Sequence, residues 1–204
     1  MSNFREMAKN TPPPVYVHAE DRKQWRAWLA AHHRTAESAW LCLHRKSNPA
    51  PSVSYEESVL EALCFGWIDS KPQKRDALSY WLFFSRRKPR SVWSASNKKR
   101  VELLMREGLM AEAGLQSIAV ARANGSWASI DDAEALVMPL ALAEAFRNQL
   151  EARANFDAFP PSVRRGIYTW ISTAKTDLTR ARRIAETVEK AALNIPANQW
   201  TPKK

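Results

Sequence analysis

The chain has 204 residues, enough for one large domain, or one domain with a helical appendage, whose core needs neither disulfides nor a metal. Hydrophobic residues make up 45% of it and charged residues 25%, a balance that excludes an intrinsically disordered chain. No window approaches the roughly eighteen consecutive apolar residues of a membrane-spanning helix, and no apolar run follows a basic start, so the sequence predicts neither secretion nor membrane insertion.

The first half of the chain is predicted to alternate strands with helices. Residues 15–17 form a short strand, after a proline-rich lead-in, and from Glu20 the apolar positions follow helical spacing. Residues 39–43 form a compact apolar run that predicts a buried strand. Ser54 then opens a helix through a capping-box pattern, and this helix is expected to end between residues 66 and 69.

A hairpin and two further helices are predicted next. The aromatic run 78–84 has strand character and is expected to pair with residues 68–70 across a polar connection. A loop at 85–91 precedes a helix that Ser94 or Ser96 caps and that ends at Gly108. A second helix is expected over residues 111–124.

The remainder of the chain has helical patterns and almost no net charge. An acidic turn is predicted at 131–137, followed by helices over 139–152 and from Pro160 onward. The last helix begins near Thr176, and its inward face is predicted to consist of Leu178, Ala181, Ala185 and Val188.

Together these elements predict an α+β fold that is predominantly helical. We expect an N-terminal α+β unit over residues 1–130 and a C-terminal helical unit over residues 131–195. Residues 196–204 are predicted to be a loose tail.

Most of the formal net charge of +10 comes from residues 71–100, which we call the cationic segment. It contains ten basic residues and one acidic residue. Such a local excess attracts phosphates, nucleic acid or acidic proteins. The alternative is a solvated face that only keeps the protein soluble.

Standard catalytic and cofactor motifs are absent from the sequence. With five glycines there is no dinucleotide fingerprint, no phosphate-cradling loop and no nucleophile elbow. The four histidines have no metal-binding helical spacing, so neither a metal nor a cofactor is expected. Cys42 and Cys64 each lie in an apolar stretch, which predicts reduced core residues in a cytoplasmic protein, with a disulfide as the lesser alternative.

Residue types typical of a binding site are crowded between residues 64 and 97. Arginine forks bind phosphate or carboxylate, and the start of a helix adds backbone donors. The alternative is structural: an aspartate that ties a loop to an arginine, tryptophans in the core and serines as caps. The candidate ligand-binding residues are Trp67, Asp69, Ser70, Arg86, Arg87, Ser91, Trp93, Ser94 and Asn97.

Several motifs resemble a known family. They are Ala62-Leu-Cys-Phe-Gly-Trp-Ile-Asp-Ser70, residues 84–97, Val101 through Gly108, Ala113-Gly114, Pro161-Ser-Val-Arg-Arg165, Trp170-Ile171, Ala174-Lys175 and Thr179-Arg-Ala-Arg-Arg-Ile184. Together they resemble the YdeI/OmpD-associated family of bacteriocin-protection proteins, over most of residues 25–190. The resemblance implies a cytoplasmic bacterial protein associated with resistance to toxic peptides or envelope stress. It supplies no catalytic mechanism, and its matching positions coincide with the candidate site.

Three functions are compatible with the sequence. The leading hypothesis is a non-enzymatic binding protein that holds an anionic small molecule or protein partner between Asp69 and Asn97. The first alternative is a nucleic-acid-binding protein, with phosphates at Lys98 to Arg100 and the Arg86 to Arg90 cluster and bases stacked on tryptophans. The second is an enzyme with Cys64 or Asp69 as the reactive group, although neither has an identifiable catalytic partner.

Overall fold

A four-stranded sheet lies at the centre of the first part of the protein. The structure is a computed structural model that describes residues 15–199, so the predicted proline-rich lead-in falls outside the described residues. The strands are β1 (Tyr16–His18), β2 (Ser38–His44), β3 (Trp67–Lys74) and β4 (Ser79–Arg86), in the order β1-β2-β4-β3. β1 runs parallel to β2, and the other two pairs are antiparallel.

The predicted hairpin is confirmed, and its strands are longer than expected. β3 and β4 pair from Trp67 opposite Arg86 to Lys74 opposite Tyr80, with an irregularity between Asp69 and Pro72. The polar stretch predicted as a connection is therefore largely strand. Its polar residues are accommodated because an edge strand needs a hydrogen-bonding partner on one side only.

One face of this sheet packs against α1 (Arg22–His32) and α2 (Tyr55–Cys64). We call this the inner face, and the strand residues whose side chains point to it and are buried include Val17, Leu41, Leu82 and Phe84. The Trp25 ring of α1 lies 5.3 Å from that of Phe84, between centroids. The compact apolar run at 39–43 thus forms the predicted strand, in a sheet with one face in the core.

Both helices begin with the caps that the sequence indicates. The Asp21 carboxylate accepts a hydrogen bond from the Gln24 backbone, and Ser54 forms the predicted capping box with Glu57. α2 ends at Cys64, two residues earlier than predicted, because Gly66 adopts a φ of +72° that reverses the chain into β3.

The helices that follow are α3 (Ala95–Arg106), α4 (Glu112–Ala123), α5 (Asp131–Glu134), α6 (Leu140–Ala145), α7 (Leu150–Ala158), α8 (Pro161–Ser172) and α9 (Asp177–Ala192). The predominantly helical α+β fold is confirmed. The acidic turn contains the short helix α5, and the helix predicted over 139–152 is two helices. Phe146, at the end of α6, and Phe156, in α7, are both buried in one core.

The last helix is rotated relative to the prediction. Ile184, Thr187 and Ala191 of α9 are buried, whereas Leu178 is 82% exposed. The predicted stripe was wrong for Leu178, Ala181 and Ala185, which are exposed, whereas Val188 packs against the core as predicted. Packing against α7 and α8, and not the pattern of the helix alone, decides which face is covered.

The described chain forms two compact units. The first contains residues 15–89 with Lys99–Val120, and the second contains Arg90–Lys98 with residues 121–199, so two of the three boundaries fall inside α3 and α4. The domain boundary at residue 130 stays a prediction. Ala197 of the predicted loose tail is 1% exposed in the core of the second unit, so the tail is anchored at this residue.

Candidate functional site

The two tryptophans of the predicted site are core residues. Trp67 is 0% exposed in the first unit, where its indole N–H donates to the His33 carbonyl at 3.4 Å. Trp93 is 1% exposed in the second unit, with its ring centroid 4.9 Å from that of Trp127. Neither indole is open to solvent, so the structural alternative holds for both of them.

Asp69 and Arg87 are brought together in the first unit by β3 and the end of β4. The Tyr55 hydroxyl at the start of α2 donates to Asp69 Oδ2 at 3.1 Å, and the Arg87 backbone N–H donates to the Gly66 carbonyl at 2.9 Å. Burial lowers the pKa of the Arg87 guanidinium to about 10, while the negative charge of Asp69 acts in the opposite direction. The guanidinium is thus held in a partly desolvated position near a carboxylate.

An ion pair from α3 completes this cluster. Arg100 donates through Nε and Nη2 to the two carboxylate oxygens of Glu56, at 2.8 and 2.7 Å. This fork holds the pKa of Glu56 below its usual value, whereas burial and then Asp69 raise the pKa of Tyr55. We call the group of Tyr55, Glu56, Asp69, Arg87 and Arg100 the Asp69 cluster.

Sequence reasoning missed two members of this cluster, Tyr55 and Glu56. They occupy the first turn of α2, which the capping pattern located correctly. The only available signal was a tyrosine in a polar first turn, and no local pattern shows that this turn faces β3.

The other candidate residues are placed separately. Ser70 and Arg86 are exposed in the first unit, where Arg86 lies 3.8 Å from Glu37. Ser91, Ser94 and Asn97 lie in the second unit, and the Ser94 hydroxyl accepts a hydrogen bond from the Asn97 backbone, so Ser94 caps α3 as predicted. Of the nine predicted residues, the structure thus joins Asp69 and Arg87 in one polar cluster.

Two cations expected to meet phosphates already have carboxylate partners. Lys98 pairs with Asp131 and lies 5.3 Å from the centroid of the Trp127 ring, and Arg100 pairs with Glu56. Contact with phosphates at these positions would have to displace intramolecular ion pairs, which weakens them as a nucleic-acid surface.

Cys64 is unsuited to nucleophilic catalysis where it lies. Its side chain is 0% exposed, and burial, followed by the nearby Glu61, raises the pKa of the thiol. A buried, protonated thiol is a weak nucleophile. Cys42 is buried as well, and both cysteines are free.

We expect the folded protein to react at least about tenfold more slowly with a thiol reagent at pH 8 than the urea-unfolded chain, because the thiolate is the reactive form and access is closed. Release of thionitrobenzoate from Ellman's reagent measures this, with Cys42→Ser isolating Cys64. Equal rates from folded and unfolded protein would contradict the burial of Cys64.

Neither a metal-binding cluster nor a membrane-crossing helix occurs in the part of the chain that the structure describes. Within residues 15–199 no three His, Cys, Asp or Glu side chains are arranged to hold a metal ion. Over the same residues, no helix combines the length and the apolar character needed to cross a membrane.

Fold and cluster define a mostly helical α+β protein with a polar, arginine-containing cluster on its first unit. Residues 17–117 match a family described as a domain of unknown function, DUF8412. Residues 135–194 match the family described as Bacteriocin-protection, YdeI or OmpD-Associated. The second match confirms the resemblance to the YdeI/OmpD-associated family over this C-terminal region, while the upstream motifs lie in the DUF8412 match. No curated protein and no solved structure matches the chain.

Proposed function

We propose that this chain is a cytoplasmic binding protein of the bacteriocin-protection or envelope-stress type, and that it holds an anionic small molecule or protein partner at the Asp69 cluster. The observation that carries the proposal is the partly desolvated guanidinium of Arg87 beside Asp69. The family match at residues 135–194 supports the type of protein.

Electrostatics favours an anion at this position. Burial makes the charged form of Arg87 costly, and a bound phosphate or carboxylate would offset that cost through charge-assisted hydrogen bonds in a region of reduced dielectric. Arg86 is close in sequence and is held only by a 3.8 Å contact between two exposed groups, which contributes little. An anion that approaches Arg86 would therefore displace only a weak ion pair.

The neighbouring groups would give the ligand orientation as well as charge. The Tyr55 hydroxyl donates its proton to Asp69 and can accept a hydrogen bond from a ligand, and Ser70 of β3 carries an exposed hydroxyl. A ligand with both an anionic group and a hydroxyl or amine donor would suit this combination, because Asp69 accepts while Arg87 donates.

The double replacement Arg86→Ala/Arg87→Ala tests the proposal. We expect it to lower the affinity for an anionic ligand at least about tenfold, since charge-assisted hydrogen bonds contribute about 1.5–3 kcal/mol each. Isothermal titration calorimetry with pyrophosphate, citrate and an acidic peptide measures the effect, and Arg87→Lys tests whether the planar fork is needed.

A matched control is Arg147→Ala/Arg165→Ala, which removes the same charge from exposed positions in the second unit. It should leave affinity within about twofold of wild type, because exposed charges that are not part of the binding site are largely screened by salt. If both double variants lost affinity equally, the loss would be explained by net charge and not by a specific site. Unchanged affinity in Arg86→Ala/Arg87→Ala would reject the Asp69 cluster as the site.

A further inference from the structure

The face of the sheet opposite α1 and α2, which we call the outer face, is unusually aromatic. Since side chains alternate along a strand, the residues between the buried ones point outward. Tyr16 is opposite Trp40, which is opposite Phe83, and in the adjacent row His18, Cys42 and Trp81 are opposite one another. Across β1, β2 and β4 the outer face thus carries Tyr16, His18, Trp40, Trp81 and Phe83.

These rings form a connected layer. Tyr16 and His18 lie 4.9 and 5.1 Å from Trp81, between ring centroids. Trp40 lies 4.9 Å from Phe83. The tryptophans and Phe83 are half-buried and Tyr16 is 55% exposed, so ring surface remains open to solvent. Because the rings brace one another, little side-chain entropy would be lost when a flat ligand stacks on them.

Positive charge lies directly over this layer. Lys71 Nζ is 5.8 Å from the Trp40 ring, and Arg75 Cζ is 5.2 Å from the Trp81 ring. Arg75 is fixed there by hydrogen bonds from Nη1 to Cys42 Sγ at 3.1 Å and to Ser79 Oγ at 3.4 Å. The outward-facing residues of β1, β2 and β4 include no Asp or Glu. Asp76 is one nearby carboxylate, and its ion pair with Arg75, at 3.8 Å from Nε between two exposed groups, is weak.

A cavity of about 220 Å³ adjoins one end of the layer, lined by His18, Ala19, Glu20, Cys42, His44, Ala50 and Pro51. Burial, followed by the charges of Arg75 and His44, lowers the pKa of His18, which favours the neutral form of its ring. A neutral imidazole offers one donor and one acceptor, and Glu20 adds a carboxylate. The cavity therefore presents polar groups next to the stacking surface.

We propose that the outer face binds single-stranded nucleic acid, with bases stacked on the aromatic layer and phosphates contacted by Lys71 and Arg75. Aromatic rings flanked by cations suit unpaired bases, because every base has a face that stacks and every nucleotide carries a negative charge. An open face of a four-stranded sheet is wide enough to stack two or three bases. This surface is separate from the Asp69 cluster, and its occupant is a polymer and not a small anion.

The structure favours nucleic acid over the other occupants of such a face. A small inorganic anion would use the cations but leave the rings without a role. If two copies of this chain paired through this face, Lys71 and Arg75 of one copy would lie against the same two cations of the other. Each copy also has a net charge of +10, so electrostatic repulsion opposes this association. In duplex nucleic acid the faces of the bases are stacked inside the helix. A duplex could therefore contact the two cations but could not stack on the aromatic rings.

The experiment is fluorescence anisotropy of a labelled twelve-nucleotide oligo(dT), oligo(U) and a DNA duplex of equal length, titrated with the full chain over a salt series. We expect single strands to bind at least about tenfold more tightly than the duplex. Tyr16→Ala should weaken single-strand binding about 5- to 100-fold, as base–aromatic stacking predicts, while Tyr16→Phe restores it. Circular dichroism shows that each variant is folded, and because Tyr16 is half exposed its removal leaves the core intact.

A charge variant tests the role of the two cations. Lys71→Gln/Arg75→Gln retains hydrogen-bond donors for Cys42 and Ser79, and should reduce the slope of log affinity against log salt by about 0.7 for each phosphate that the variant no longer neutralises. Arg147→Gln/Arg165→Gln removes the same charge from the second unit and should leave the slope unchanged.

Several results would overturn the proposal. They are absence of binding at low salt, equal affinity for duplex and single strand, and full binding by both Tyr16→Ala and Lys71→Gln/Arg75→Gln. Loss of binding in Arg86→Ala/Arg87→Ala alone would assign the nucleic acid to the Asp69 cluster. Self-association in analytical ultracentrifugation that Tyr16→Ala abolishes, without any oligonucleotide binding, would assign the face to a second copy of the chain.

Discussion

Replacing both Arg22 and Arg26 by methionine is expected to lower the free energy of unfolding by about 3–5 kcal/mol, because it leaves a buried carboxylate without a partner. The Glu61 side chain is 2% exposed and accepts hydrogen bonds from Arg22 Nε at 2.5 Å and Arg26 Nη1 at 2.6 Å. Arg26 also donates to the Leu109 carbonyl at 2.9 Å. The two arginine side chains are about one-third exposed, so an arginine that loses its carboxylate partner can still be hydrated. Loss of an ion-pair partner therefore costs less free energy at either arginine than at the buried Glu61.

The triple variant with Glu61→Met is the control for this prediction. It removes the buried charge together with its partners, and apolar replacements of a buried ionic group are often neutral or stabilising. We therefore expect the triple variant to regain most of the stability that the double variant lacks. Urea denaturation followed by circular dichroism measures all three proteins, and a triple variant less stable than the double variant would show that the ionic group itself stabilises the fold.

Replacing Gly114 by alanine is expected to destabilise the first unit by about 1–3 kcal/mol or more, as forced overpacking does. A Cβ atom there would lie 2.2 Å from the Cys64 carbonyl oxygen and 2.8 Å from its carbon. The Ala111 N–H donates to the same carbonyl at 3.0 Å, so α4 cannot move away without breaking this bond. The gain in helix propensity of about 1 kcal/mol cannot compensate for a collision with backbone atoms.

The same substitution at Gly166 should have the opposite sign. Gly166 lies inside α8, and a Cβ atom there would meet nothing within 4 Å. Alanine at this position should stabilise the protein by about 0.5–1 kcal/mol, through helix propensity alone. Equal effects of the two substitutions, measured by thermal denaturation, would show that the contact between Gly114 and Cys64 is not tight.

Local chemistry was predictable from the sequence wherever neighbouring residues decide it. The capping box at Ser54, the cap at Ser94 and the strand formed by the apolar run from Ala39 to Leu43 each depend on a few neighbouring residues, and each is where it was expected. Charge alone was enough to single out the arginine pair at 86–87, and the structure places Asp69 near the second of these arginines.

The sites were only partly predictable, because contacts over long sequence separations assemble them. Trp40 and Phe83 were assigned to a buried run and an aromatic strand, and only the register of β2 with β4 puts both on the outer face. Trp67 was offered as a ligand-binding residue, yet the turn at Gly66 directs it into the core. A tryptophan in a half-buried strand satisfies the same local pattern whichever face it occupies.

The sequence by itself determined the class of fold, the caps at Ser54 and Ser94, the hairpin and the concentration of positive charge in residues 71–100, since all of these follow from composition, short-range hydrogen bonding and side-chain periodicity. Only the tertiary structure decided which residues of that segment face an acid, an aromatic ring or solvent. Glu61 shows the reason: it lies among apolar residues of α2, and its two partners are 39 and 35 residues away in the chain. A charge can be buried only if the fold places such partners next to it, and the local sequence around Glu61 does not show where distant residues will lie.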